Sequence, residues 1–165
     1  MAISLLVGPS GVGKTTACGI VAKESSIKVI DLDEFLRQKI GVKSLSAHLA
    51  EVGDEQFFTL SKEGIEEIEK DASSDLIIVV GAGSINLPVS HSWNQSKNLL
   101  ALVGDPQVIY ERGNRQKHHP SISGFIKTEF NEARRCLYKN AGSMIDVTFK
   151  TPKAVADEII RIIKG

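Results

Sequence analysis

The residues best suited to chemistry come early in the chain. Gly8-Pro9-Ser10-Gly11-Val12-Gly13-Lys14-Thr15 matches the pattern G-x-x-x-x-G-K-[ST] at every fixed position. Glycines let a backbone fold around a phosphate with its N–H groups pointing inward. A helix starting at the lysine aims its positive end at the same oxygens. Lys14 would reach the β and γ phosphates, and the Thr15 hydroxyl would ligate Mg²⁺. With glycine at about 7% of residues, a chance match arises in on the order of one chain in two hundred, and the flanks here lower that further. Gly8 to Thr15, with Thr16 behind them, are therefore the candidate nucleotide-binding residues for ATP, and Lys14 is also a candidate catalytic group.

A second pair follows. Asp31-Leu32-Asp33 closes the next apolar run. In a parallel sheet, ligands bind in the crevice outside the strand C-termini. Asp31 can then hold Mg²⁺ through water, and Asp33 can accept a proton from an attacking hydroxyl. The competing reading makes Asp33 the N-cap of the next helix. No Asn-Lys-x-Asp motif is present to read guanine, which counts against a GTPase switch.

The elements that must position these groups alternate. Strands are expected at Ile3 to Val7, Lys28 to Asp31, Leu76 to Val80, Leu99 to Val103 and Ile145 to Phe149. Helices are expected from Lys14 to Ser25, from Asp33 to Asp71 with breaks near Gly41 and Gly53, and near Gln107–Arg112, Ile126–Asn140 and Pro152–Ile163. Leu76 to Val80 is apolar throughout, as suits a strand buried on both faces. The pattern predicts an α/β protein: a five-stranded parallel sheet between helical layers. The polar stretch 113–124 reads as a loop, basic through Arg115, Lys117, His118 and His119.

Composition sets the bounds. The 165 residues suit one domain, 42% of them are hydrophobic and 24% charged, which are ordinary globular values. Twenty Lys+Arg balance twenty Asp+Glu, so no broad electrostatic grip on nucleic acid or anionic membrane is expected. No secretory leader or membrane span is visible, and the chain reads as cytoplasmic and monomeric. Cys18 and Cys136 both fall in helical patterns and are expected to be buried free thiols.

With these residues in hand, the chain resembles the shikimate kinases over nearly its whole length. These are nucleoside-monophosphate-kinase-like P-loop proteins with substrate-binding helices and a lid, here about residues 33–62 and 113–124. The family's Asp-x-Asp is Asp31-Leu32-Asp33. Its Gly-Glu-x-x-Phe-Arg-x-x-Glu stretch aligns with Gly53 to Ser61, and its Gly-Gly-Gly with Gly81-Ala82-Gly83. Its lid Arg, followed seven residues on by Arg-Pro, corresponds to Arg112 and His119-Pro120. Its Arg-x-x-x-Tyr is Arg134 to Tyr138. The resemblance implies that Arg112 lies against adenine and that Arg134 grips an anionic group of the acceptor. It places Phe57, Phe58, Gly81, Ala82, Gly83, His119 and Arg134 around the acceptor, with Asp33.

The acceptor side departs from the family pattern. Phe58 and Ser61 stand where an Arg and its Glu partner are expected, and His119 replaces the lid Arg. Loss of both ion-pair members together is coherent, because losing one would strand a charge. It also removes a fork suited to a carboxylate. The expected activity is ATP- and Mg²⁺-dependent phosphorylation of a hydroxyl on a small metabolite, with a less acidic or more apolar acceptor than shikimate. The alternatives are a nucleotide or sugar-like acceptor, or a nucleotide-binding regulatory module without turnover. Arg135 competes with Arg134 for the anion-binding role; on a helix only one of two neighbours faces a pocket. Trp93 is read as a packing anchor.

Overall fold

A computed structural model describes residues 1–81, 98–113 and 119–165. Among the described residues five strands are formed: β1 Ile3–Val7, β2 Lys28–Asp31, β3 Leu76–Val79, β4 Leu99–Val103 and β5 Ser143–Asp146. They pair in the order β2-β3-β1-β4-β5, every pair parallel. β1 is central, with Leu5 opposite Ile78 on one side and Leu99 on the other. All the strands therefore end on one edge, where the loop after β1 and the pair after β2 come together.

The helices are α1 Lys14–Glu24, α2 Leu32–Ile40, α3 Leu45–Val52, α4 Asp54–Lys70, α5 Pro106–Arg112, α6 Ile122–Glu129, α7 Glu132–Lys139 and α8 Pro152–Lys164. They cover both faces of the sheet. Alternation along β1 sends Leu6 to one core and Leu5 and Val7 to the other. The Leu6 core holds Ala17 and Val21 of α1 and Ile159 of α8, and these two helices pack together. The opposite core holds Leu36 of α2, Ile65 and Ile68 of α4 and Leu137 of α7. Fully burying one such aliphatic side chain contributes roughly 1.5–3 kcal/mol, so the two cores fix the sheet edge that carries the site.

Helix starts follow local chemistry. Ser44, Asp105, Ser121, Asn131 and Thr151 each cap a helix with a side-chain oxygen. Pro106 and Pro152 occupy first helical positions.

Four expectations need correction. The helix expected over Ile126–Asn140 is two helices, because Asn131 accepts the Arg134 N–H at 2.9 Å and starts α7 afresh. β5 begins and ends earlier than expected: Asp146 accepts the Thr148 N–H at 2.9 Å and its hydroxyl at 2.6 Å, turning the chain and leaving Phe149 97% exposed. The last residues of the 113–124 stretch belong to α6. Cys18 is buried, but Cys136 lies on the exposed side of α7.

Candidate active site

The loop between β1 and α1 is held by its own backbone. Val12 N–H donates to Pro9 O at 3.2 Å and Ala17 N–H to Gly13 O at 2.9 Å. Gly13 has φ +100°, a left-handed conformation that would strain any side-chain-bearing residue. It stands at the N-cap of α1, and no side chain caps that helix. Lys14 curls back over the loop, its Nζ donating to Gly8 O at 2.6 Å and Pro9 O at 3.2 Å. Burial lowers its pKa to about 8, opposed most strongly by the Glu129 carboxylate.

A cleft of about 660 Å³ opens in front of this loop. Ser10 to Thr16 line it, as do Asp31, Asp33, Gly81 and Arg112. Gly8 and Pro9 are buried beneath them. Asp31, at the end of β2, is the residue that caps α2, its Oδ1 accepting the Glu34 N–H at 3.1 Å. The capping role weighed for Asp33 belongs to Asp31, and Asp33 sits in the first turn with its carboxylate turned toward β3. A Cβ on Gly81 would lie 2.8 Å from Asp33 Oδ1 and overlap Oδ2, so any larger residue there would force the Asp33 carboxylate to move. Burial, and then the Asp31 charge, push the Asp33 pKa up; Lys14 pulls it down. A carboxylate with a raised pKa is better matched to proton transfer near neutral pH.

Arg112 ends α5 with its guanidinium donating to Val147 O at 3.0 Å and Thr148 O at 2.6 Å. These bonds set the guanidinium at the cleft wall. Val147, Lys150, Pro152 and Val155 complete that wall. Sequence reasoning missed these four. They follow β5 in sequence, where strand-end position in an α/β fold is the only available signal.

On the other side of the loop, Arg134 is buried, at 3% exposure, whereas Arg135 is exposed. Arg134 pairs through Nη1 with Glu129 Oε2, and Glu129 is buried as well. The same Oε2 accepts the Ser10 N–H of the phosphate-binding loop at 3.1 Å. His119 Nε2 lies 3.9 Å from Glu129 Oε1. His119 is held by edge packing on Phe125 and by Tyr110, whose hydroxyl donates to His119 O at 2.6 Å. The structure therefore joins His119 and Arg134 through a carboxylate that sequence reasoning missed. Its one sequence signal is its place four residues after buried Phe125, on the inward face of α6.

Phe57 is closed from solvent and Phe58 half-buried on α4. Ser61 is fully buried and donates to Phe57 O at 3.0 Å. The Tyr138 hydroxyl is buried with no hydrogen-bond partner among the described residues, and burial pushes its pKa up. Ala82, Gly83, Trp93, Arg115, Lys117 and His118 lie outside the described residues. No helix among the described residues is long and apolar enough to cross a membrane.

A parallel sheet in the order 2-3-1-4-5, with a G-x-x-x-x-G-K-[ST] loop after its central strand, defines a P-loop protein of the nucleoside-monophosphate-kinase-like class. The family model for shikimate kinase matches residues 10–164. The shikimate kinase of Bacillus mycoides is 30% identical over 160 residues, covering 93% of each chain. Among solved structures, a shikimate kinase from Bacteroides thetaiotaomicron superposes with a TM-score of 0.81 at 18% identity, covering 99% of both chains. One from Acinetobacter baumannii, in complex with shikimate, gives 0.75 at 20% identity, covering 99% of this chain and 93% of that one. The chain belongs to the shikimate kinase family and is an ATP-dependent phosphotransferase acting on a hydroxyl.

Proposed function

We propose that the chain transfers the γ-phosphate of ATP to a hydroxyl of a small polyhydroxylated metabolite of the shikimate type, at the cleft between the loop after β1 and the start of α2. One observation carries the reading: Lys14 and Asp33 face the same cleft, near enough for each to shift the other's pKa. The uncapped start of α1 and the glycine-shaped loop suit a phosphate chain. The Thr15 hydroxyl and, through water, Asp31 would hold Mg²⁺, which neutralises phosphate charge.

Each residue then has a task. Lys14 leaves the Gly8 and Pro9 carbonyls for the β and γ phosphates. Asp33, held against Gly81, accepts the acceptor's hydroxyl proton. Arg112 flanks the base. Phe57, Phe58, Gly81, Ala82, Gly83, His119 and Arg134 surround the acceptor, and 113–124 closes over both ligands to exclude water. Positioning and charge stabilisation carry most of the catalysis in such transfers. All of these groups come from one chain, so a monomer suffices.

The test is ADP release with ATP, Mg²⁺ and a panel of hydroxylated ring metabolites that includes shikimate. Acceptor-dependent turnover that vanishes in Lys14→Ala and in Asp33→Asn is expected. ATP binding without transfer to any member of a broad panel would overturn the proposal and favour a regulatory module.

A further inference from the structure

We infer that Glu129 is an internal counter-ion that sets the acceptor class: it fills the anion-binding capacity of Arg134, so the site takes an uncharged polyol ring and disfavours a carboxylic acid. The inference rests on the reading above that Arg134 lies on the acceptor side.

Three contacts and one residue type support it. Glu129 and Arg134 are both buried and paired, so the Arg134 charge is already balanced inside the protein. Glu129 Oε2 also accepts the Ser10 N–H, which ties the carboxylate to the phosphate-binding loop at 3.1 Å. Its other oxygen faces His119 Nε2 at 3.9 Å, so the position resembling the family's lid arginine also faces this internal carboxylate. Phe58, half-buried on α4, stands where the family pattern has a second arginine.

The break between α6 and α7 produces this pairing. Residues five apart in a continuous helix would point roughly 140° away from each other. Asn131 restarts the helix and folds the end of α6 toward the start of α7, bringing Glu129 onto Arg134.

The consequence is electrostatic. An acceptor carboxylate at Arg134 would meet a second carboxylate in a buried setting, and like charges there disfavour one another strongly. A hydroxymethyl group in the same place can donate to Glu129 and leave the pair intact. Sites built to receive a hydrogen bond reject analogues that cannot make one.

Matched acid–alcohol pairs test this directly. Shikimate and its carboxyl-reduced alcohol share the ring hydroxyls and differ in charge; quinate and its carboxyl-reduced alcohol form a second pair. In wild-type protein the alcohol is expected to have a kcat/KM about tenfold or more above that of the acid. Glu129→Gln, which keeps shape and removes charge, is expected to lower KM for the acid and reverse the ratio, with KM for ATP changing less. A wild-type preference for the acid, or an unchanged ratio in Glu129→Gln, would overturn the inference. If the variant does not fold, the wild-type ratio alone decides.

Calorimetric binding of each compound in the presence of a non-hydrolysable ATP analogue separates this inference from the parent reading. Selective binding of the alcohols without turnover would sustain the Glu129 assignment while sinking the kinase proposal. Failure of every alcohol to bind, or tighter binding of the acids, would overturn the assignment itself.

Discussion

The donor side of this cleft and the acceptor side proposed for it are built in different ways. The donor side is one contiguous loop and the helix it starts, and every fixed position of its motif is present. The acceptor side proposed above draws on α4, the α6–α7 junction and the sequence after β3, and Phe58, Ser61, His119 and Ala82 depart from the family pattern there. Phosphoryl transfer requires the same groups around a triphosphate whatever the acceptor. Groups around the acceptor need only match one molecule, so they can change while the reaction class stays.

The largest expected effects lie on the donor side. Lys14→Ala should reduce kcat/KM by about 10³-fold or more, as removal of a charge on the transferring group does. Asp33→Asn should reduce kcat by about 10²–10⁴-fold with ATP affinity retained. Rapid-quench measurement of the transfer step checks both. If Asp33→Asn turned over normally, proton acceptance would have to be assigned elsewhere.

On the acceptor side the large effect is on stability. Arg134→Met leaves Glu129 buried without its cation and should destabilise by about 3–5 kcal/mol in urea unfolding. The double variant Glu129→Met with Arg134→Met should recover most of that, since replacing a buried pair by apolar groups is often neutral or stabilising. A double variant as unstable as the single one would show that the pair is not the cause.

Gly81→Ala tests the join between the two sides. The added methyl overlaps Asp33 Oδ2, so the carboxylate must move. A displacement of about 1 Å can cost on the order of 10²-fold in rate, so kcat should fall while nucleotide affinity holds. The pH profile adds a further check. Asp33 must be ionised to accept a proton and its pKa is raised, so activity should rise with pH beyond the ordinary carboxylate range. Lys14 must be charged to hold phosphate, and its pKa is lowered to about 8, so kcat/KM for ATP should fall as pH passes that value. The stability signs differ from group to group. Between about pH 8 and the ordinary lysine value of 10.5 the unfolded chain holds the Lys14 proton more tightly, so Lys14 makes stability rise with pH. Asp33 binds its proton more tightly when folded, so above 3.8 it makes stability fall as pH rises toward its raised pKa.

What could be read from sequence follows the same division. The sheet was legible because Ile3 to Val7, Leu76 to Val79 and Leu99 to Val103 are short apolar runs whose burial needs no partner to be recognised. The phosphate-binding loop was legible because its chemistry is contiguous. Glu129 was not, because its bond to Ser10 spans 119 residues and its only local mark, a place four residues after Phe125, does not tell a buried glutamate from an exposed one. The end of β5 was misread because Asp146 turns the chain through its own side chain, a local competition that apolar runs do not report.

The smallest effect probes why the acceptor side is fragile. Asn131 caps α7 and holds the Arg134 N–H directly. Asn131→Ala should cost about 1 kcal/mol, as loss of an N-cap does, which is modest beside loss of the buried pair. Yet the cap also sets the angle at which Arg134 meets Glu129, so KM for the acceptor should rise while KM for ATP stays unchanged. The cap of α2 supplies the control. Asp31→Asn keeps a side-chain oxygen able to cap the helix and removes charge from the donor side, so it should raise KM for ATP and leave acceptor KM alone. Opposite selectivity from two cap positions would show that the two sides are positioned independently by the local chemistry of their own helix starts. A shared loss of both affinities from Asn131→Ala would show instead that the Glu129–Ser10 bond couples them.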